Sequence, residues 1–374
     1  MEILKIQIQR ELSTFPLRID LETGEGIHVL FGRSGVGKTQ TLECVAGLSR
    51  PDSGLISLGH RILFKAVEGE KIVNVPPRSR RIGYVFQDGA LFPHKTLLEN
   101  VMYPMRTSQK GPARGAATEL LSEMGLQSLV GRYPSEVSGG QKRRAAIARA
   151  LASKPDLLLL DEPFVHLDRV VRSKLMDDLT TLVEEHQLPA ILVTHDLDVA
   201  ATVSNSISVM EAGQIIQSGS REEVLFRPVT GGLARLLGDV NILKGEVAGE
   251  SSGVWNVTAA DASWSVPHLG SLQIGVEVEV VIRTGSVKII KQDMEVPESL
   301  SLNVRSASVA TIDRRPDFYW VRFTLDSGVT ITGRVPSDTF RRTGLGEGDN
   351  CTISIAADGI SLFPLDSSTS NVGQ

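Results

Sequence analysis

An α/β protein with a parallel-sheet core and a helical insertion, followed by a C-terminal all-β barrel-like domain, is what three features of this 374-residue sequence predict. Over residues 1–235, short apolar runs alternate with helical patterns. Three of those runs, Ile27–Phe31, Leu157–Leu160 and Ile191–Thr194, pass straight into a polar residue: Gly32, Asp161 and His195. After about Gly238 the helical periodicity fades, and period-two alternation such as Val276–Arg283 and Phe318–Leu325 takes over.

The elements follow in order. The opening "MEILKIQIQRELSTF" alternates like a strand and lacks the apolar stretch of a signal peptide. No run approaches the roughly 18 apolar residues of a membrane span, so the chain is expected neither to cross a membrane nor to be exported. Ile27–Phe31 is the first core strand, and "KTQTLECVAGL" the helix after it. Residues 88–153 read as mainly helical, interrupted by "KGPARG" and "GRYP", and form the insertion. Residues 239–365 form the β domain. In it Val266-Pro267 recurs as Val335-Pro336, Gly275 matches Gly348 and Ile282 matches Ile355, which predicts a duplication into two small barrel-like units. The polar tail, 366–374, is expected to be disordered.

Composition narrows the functional classes. A net charge of −5, from 39 basic and 44 acidic residues, offers no electrostatic basis for bulk nucleic-acid binding. The two cysteines, Cys44 and Cys351, stand far apart and fit no metal or disulfide spacing, so both are expected as packed thiols in a reducing compartment.

The stretch "GRSGVGKT", Gly32 to Thr39, fits the phosphate-loop pattern and lies between a strand and a helix, which makes the core that of a P-loop NTPase. Backbone N–H groups of Gly32, Arg33, Ser34, Gly35, Val36 and Gly37, continuing to Gln40 on the helix, can wrap phosphate oxygens at a positively polarised helix end. Lys38 is expected to reach the β and γ phosphates of ATP, and Thr39 to ligate Mg²⁺. At the end of "LLLLDEP", Asp161 suits a water-mediated hold on the metal, and Glu162 suits polarisation of the attacking water. Paired acids at such a place can also cap a helix. His195, closing "LVTHD", is placed at the same sheet edge to touch the γ-phosphate and orient the water, although a lone histidine is commonly structural. Gln87, in "YVFQD", supplies a neutral oxygen for metal or water.

A second glycine loop, "VSGGQKRR", raises a separate question. Ser138, Gly139, Gly140 and Gln141 open another helix with free amides, a second anion site by the same physics. Lys142, Arg143 and Arg144 lie in its first turn, where positive charge opposes the helix dipole and an external anion would relieve the conflict. The alternative is an N-cap at Ser138 with an exposed basic face.

Taken in order, Gly32–Thr39, Gln87, Ser138–Gln141, Asp161-Glu162, Asp168 and His195 resemble the ATP-binding cassette ATPases over about residues 1–235. That resemblance implies a head-to-tail homodimer with two shared ATP sites, in which the loop at Ser138 caps the γ-phosphate held by the other copy and Asp168 lies across the interface. It implies ATP and Mg²⁺ as cofactors, integral membrane permease subunits docked near the Gln87 loop and the insertion, and indirectly an extracytoplasmic substrate-binding protein. It also implies a peripheral place on the cytoplasmic face of the inner membrane. Phe15 is the nearby aromatic that could stack on adenine, or it belongs to the core. The stretch from Gly59 to Val101 looks like the ATPase subunit of molybdate importers, and the β domain looks like oligomer-forming domains that bind an oxyanion in some members. Sulfate, ferric iron, polyamine or sugar importers share nearly all of these motifs. Departures from the family stand at Val165 and His166, at Leu300, where a hydroxyl residue is usual, and at Ala307, where glycine is.

Overall fold

A computed structural model describes residues 4–105, 110–251, 253–267, 272–290 and 302–365. Leu300 and the tail after Leu365 lie outside them. The chain divides into two units, residues 1–227 and 228–374.

The first unit is built on one mixed sheet. Its strands are β1 (Leu4–Glu11), β2 (Pro16–Thr23), β3 (Ile27–Phe31), β4 (Ser53–Leu58), β5 (Arg61–Ala66), β6 (Val73–Asn74), β7 (Ile82–Val85), β8 (Leu157–Asp161), β9 (Ala190–Thr194), β10 (Ser206–Glu211) and β11 (Gln214–Ser220), in the order 6-5-4-1-2-11-10-3-9-8-7. The helices are α1 (Lys38–Ala46), α2 (Pro77–Arg80), α3 (Leu97–Met102), α4 (Lys110–Glu123), α5 (Gly139–Leu151), α6 (Arg169–Glu185), α7 (Leu197–Val203) and α8 (Arg221–Phe226). Strands β10, β3, β9, β8 and β7 run parallel, and β3, β8 and β9 are buried along their whole length. Burial on both faces is why these strands read as unbroken apolar runs. Register sets Phe31 against Thr194 and Asp161 against Val193, so Gly32, Glu162 and His195 all emerge at one edge. Among the described residues no helix is long and apolar enough to cross a membrane.

Two buried polar residues support this core. Arg80, with no exposed surface, donates from its guanidinium to the carbonyls of Cys44 (2.9 Å) and Val45 (2.7 Å) at the C-terminal end of α1, and to Val75 and Asn74. A cation there meets the negative end of the helix whose other end forms the phosphate loop. Gly47 ends α1 at a φ of 80°, and a Cβ on it would stand 2.6 Å from the Arg80 guanidinium carbon, so glycine is required twice over.

His28, inside β3, bonds the Ser206 hydroxyl at 2.7 Å and the Ser208 hydroxyl at 3.0 Å, and Ser208 bonds Ser218. Burial pulls its pKa down from 6.5 to about 4. The folded state therefore holds His28 neutral where the unfolded chain binds a proton. Its contribution is fully present above pH 6.5 and is lost as pH falls from 6.5 to about 4, amounting to about 3 kcal/mol. His28→Gln keeps hydrogen bonds to the serines and removes that titration. Denaturant unfolding followed by helical circular dichroism at pH 7.5 and 4.5 should show the parent losing about 3 kcal/mol more than the variant; equal losses would remove His28 from this role.

The second unit opens with α9 (Gly231–Leu237), which packs on β12 and β15 and ties Arg235 to Glu279 at 2.6 Å. Its strands are β12 (Val240–Ser251), β13 (Val254–Ala259), β14 (Ala262–Pro267), β15 (Glu277–Arg283), β16 (Val287–Ile290), β17 (Val304–Arg314), β18 (Phe318–Leu325), β19 (Thr330–Pro336), β20 (Asn350–Ile355) and β21 (Ile360–Pro364), with α10 (Ser337–Arg341) after β19. They form two five-stranded antiparallel sheets, 14-13-12-15-21 and 16-20-17-18-19. Each half lends its last strand to the other: Ile282 of β15 pairs with Ile360 of β21, and Ile355 of β20 with Val287 of β16. Two asparagines repeat the exchange. Asn241 makes a two-way amide clamp on the main chain of Thr332 (2.7 and 2.9 Å), and Asn303 does the same to Ser265 (2.9 and 2.8 Å). The two sheets share one core centred on Trp264, Phe323, Val280 and Ile353.

Candidate functional site

At the shared edge of β3, β8 and β9 lies a cleft of 730 Å³. It is lined by Ser34, Gly35, Gly37, Lys38, Thr39 and Gln40 on one side, Gln87, Glu162 and His195 on another, and Leu12 to Phe15 on a third. The phosphate loop turns into α1 through Gly37, at a φ of 105°, where a Cβ would press on Leu17 and Met210 at 2.9 and 3.0 Å. The Lys38 ammonium donates to the carbonyls of Gly32 and Arg33, each at 2.9 Å. Burial lowers its pKa, against the opposing pull of Glu162 and Asp161, so an anion at the loop would be a favourable exchange for those carbonyls. Gln40 lines the cleft while its side chain is held between Arg10 (3.1 Å) and Glu43 (2.9 Å).

The acids occupy different environments. Asp161 is 4% exposed, accepts from the Thr39 hydroxyl at 3.0 Å and lies 3.5 Å from the Tyr84 hydroxyl. Burial raises its pKa even though both hydrogen bonds favour the charged form. A hydroxyl and a desolvated carboxylate side by side are hard oxygen donors that fit Mg²⁺, which takes one or two carboxylates and otherwise uses water and phosphate. Among the described residues no larger cluster of His, Cys, Asp and Glu offers a softer metal a site.

Glu162 has a φ of 44°, a left-handed conformation unfavourable for a glutamate. Its amide donates to the Val193 carbonyl at 3.1 Å, and its carboxylate sits 2.9–3.0 Å from His195 Nδ1. A carboxylate only accepts, so Nδ1 carries the proton and Nε2 is left available. The structure thus joins the two candidates that the sequence placed separately. Phe15 is half-buried and belongs to the cleft wall: a Cβ on Gly37 would stand 3.4 Å from its ring.

Ser138, Gly139, Gly140 and Gln141 do not line this cleft. Ser138 is exposed and caps α5, accepting from the Gln141 amide at 3.3 Å while the Gln141 side chain accepts from the Ser138 amide at 2.9 Å. Gly140 packs against Val171 of α6. The basic triplet behind them differs from both expectations. Arg143 is buried with its guanidinium on the carbonyls of Phe86 and Gln87, and Arg144 lies 3.6 Å from Asp178 of α6. These two cations neither form an exposed basic face nor wait for an external anion, because internal acceptors already hold them. Asp168 caps α6, accepting from the Val170 and Val171 amides at 3.1 and 3.0 Å, and also lies off the cleft.

Sequence reasoning passed over Tyr84, the hydroxyl beside Asp161, and the wall residues Leu12, Ser13 and Thr14. Tyr84's signal was its place in β7, directly paired with Leu159 two residues before Asp161. His166, at a φ of 61°, and Val165 complete the cleft wall.

A family model described as "ABC transporter" matches residues 15–165. The molybdenum import ATP-binding protein ModC of Rhodospirillum rubrum is 32% identical over 316 residues, 84% of this chain and 84% of that protein. The molybdate/tungstate import ATP-binding protein WtpC of Pyrococcus horikoshii is 33% identical over 369 residues, 97% of this chain and 100% of that protein. Among solved structures, an ATP-binding cassette captured as a dimer after hydrolysis, bound to ADP and phosphate, superposes with a TM-score of 0.50 and 28% identity. The match covers 59% of this chain and 99% of that one.

Proposed function

We propose, from the premise that this chain belongs to the ABC transporter family and is the ATP-hydrolysing subunit of an importer, that it powers uptake of molybdate or tungstate. What carries the cargo assignment is the full-length likeness to a molybdate/tungstate import protein, which includes the β domain as well as the ATPase unit. The second unit also holds an open cleft of 650 Å³ whose polar lining is Ser306, Asp326, Arg342, Thr343, Asn350 and Thr352, so one guanidinium and three hydroxyls that could meet an oxyanion share it with one carboxylate.

Two copies close head to tail on two nucleotides. Within each, Lys38 and the loop amides bind the phosphates, Thr39, Asp161 and Gln87 would hold Mg²⁺, and Phe15 faces the adenine. Mg²⁺ held by those residues would supply charge neutralisation during phosphoryl transfer. Glu162 accepts the proton of the attacking water, and His195 fixes the carboxylate through Nδ1. Ser138, Gly139 and Gly140 reach the γ-phosphate bound by the other copy, and Asp168 braces that seam. Support for this comes from the separation within one chain: Ser34, Gly35, Gly37, Lys38 and Thr39 of the phosphate loop line the cleft, yet the second glycine loop stands outside it. ATP bridges the copies and ADP does not, so hydrolysis reopens them. The pair works at the cytoplasmic face of the inner membrane on permease subunits fed by an extracytoplasmic binding protein.

Reconstitution with permease and binding protein tests the cargo. Molybdate and tungstate should stimulate ATP hydrolysis, and sulfate and ferric iron should not. Calorimetry of the full-length subunit should show heat with the same two anions; stimulation by another cargo alone would overturn the assignment.

A further inference from the structure

Helix α5 begins at the cap Ser138 and carries two arginines directed at a single loop, the one that follows β7. Arg143 is 8% exposed and donates to the carbonyls of Phe86 (3.3 Å) and Gln87. Arg149 donates to the carbonyls of Gly89 (3.0 Å) and Ala90 (2.6 Å), and its guanidinium lies 5.6 Å over the Phe92 ring. The loop is bent to meet them: Gly89 has a φ of 76° and Ala90, which has a Cβ, a φ of 42°. Asp88 holds the bend by accepting from the Ala90 amide at 3.0 Å.

Hydrogen bonds from a charged donor are stronger than neutral ones, and a buried guanidinium left without acceptors is costly. Four carbonyls of one loop therefore move with α5 rather than slide along it. Five residues of helix, roughly 7.5 Å, separate Arg143 from the Ser138 cap. Gln87 lines this chain's own cleft, whereas Ser138 does not.

We propose that Arg143, backed by Arg149, is the positioning residue that couples the two ATP sites of the dimer. It ties Gln87, which meets one nucleotide, to the Ser138 tip, which serves the other. Filling one cleft draws in Gln87, and α5 carries its tip into register for the neighbouring site. This rests on the composite-site reading above.

The test uses the full-length protein and its Arg143→Gln and Arg143→Lys variants. Three quantities are read: affinity of the dilute subunit for a fluorescent ATP analogue, ATP-dependent dimer formation, and the Hill coefficient of ATP hydrolysis. Arg143→Gln should keep subunit affinity within about twofold while its Hill coefficient falls from about two toward about one and its maximal rate drops about tenfold. Arg143→Lys, which keeps a charged donor, should recover part of both. A folded Arg143→Gln protein with the parent's Hill coefficient would overturn the proposal. A parent that dimerises with ATP but titrates with a coefficient of about one also overturns it, whereas a parent that forms no ATP-dependent dimer sinks the composite-site reading instead. Should Arg143→Gln fail to fold, hydrogen exchange on the parent decides: amides of residues 86–90 and 138–142 must gain protection at one common ATP midpoint, and separate midpoints overturn the coupling.

Discussion

Glu162→Gln should bind ATP as the parent does and hydrolyse it about 10²- to 10⁴-fold more slowly, accumulating an ATP-bound dimer. The substitution is nearly isosteric. A glutamine oxygen still accepts from His195 Nδ1, and the amide of residue 162 still donates to Val193, so the left-handed turn at a φ of 44° is kept. What is lost is the basic oxygen that takes the proton of the attacking water. The Glu162 side chain is only 12% exposed and is tied to His195, so bulk water does not replace it. Rapid-quench hydrolysis together with light scattering checks both halves of the expectation. Turnover at the parent's rate would take Glu162 out of the base role and leave the cleft without an assigned proton acceptor.

Ser138→Arg should leave nucleotide binding by a single subunit unchanged and abolish both the ATP-dependent dimer and hydrolysis. Ser138 is exposed at the tip of α5 and away from its own cleft, so the new side chain disturbs no phosphate contact within the chain. Loss of its cap on the Gln141 amide costs about 1 kcal/mol, too little to unfold the unit. The decisive effect is distance. The amides of Gly139 and Gly140 must come within hydrogen-bond reach of a phosphate, and a long side chain at the leading position holds the glycines off. A normal ATP-dependent dimer of this variant, seen by light scattering, would show that the second loop does not meet the partner's nucleotide.

Much of the core was legible because burial on both faces leaves a one-dimensional trace. Leu157–Leu160 and Ile191–Thr194 read as apolar runs since both sides of the parallel sheet are covered, and the polar residue after each run marks the edge where the cleft forms. The phosphate loop was legible for a similar reason, since amide wrapping needs glycine at fixed spacing. The basic triplet behind Ser138 was not. Its local pattern suits a solvated face, and the acceptors of Arg143 lie 56 and 57 residues away in the chain, on the loop after β7. His28 was equally silent: its partners Ser206 and Ser208 come from a strand 178 and 180 residues distant.

In the β domain, alternation marked strand segments such as Val276–Arg283 and Phe318–Leu325 but not their assignment to two sheets with one shared core. Pattern reports which face of a strand is buried; it carries no information on the neighbour that buries it. From sequence alone came the core strands ending at Gly32, Asp161 and His195, the helix after the phosphate loop, the change to β alternation after about Gly238, and the residue types that phosphate and magnesium require. Only the folded chain decided that β16 and β21 change places, that Glu162 and His195 meet, and that two arginines of α5 grip the Gln87 loop. Each of these depends on a contact between distant segments, and such contacts are set by how buried surfaces and polar groups are mutually satisfied in three dimensions.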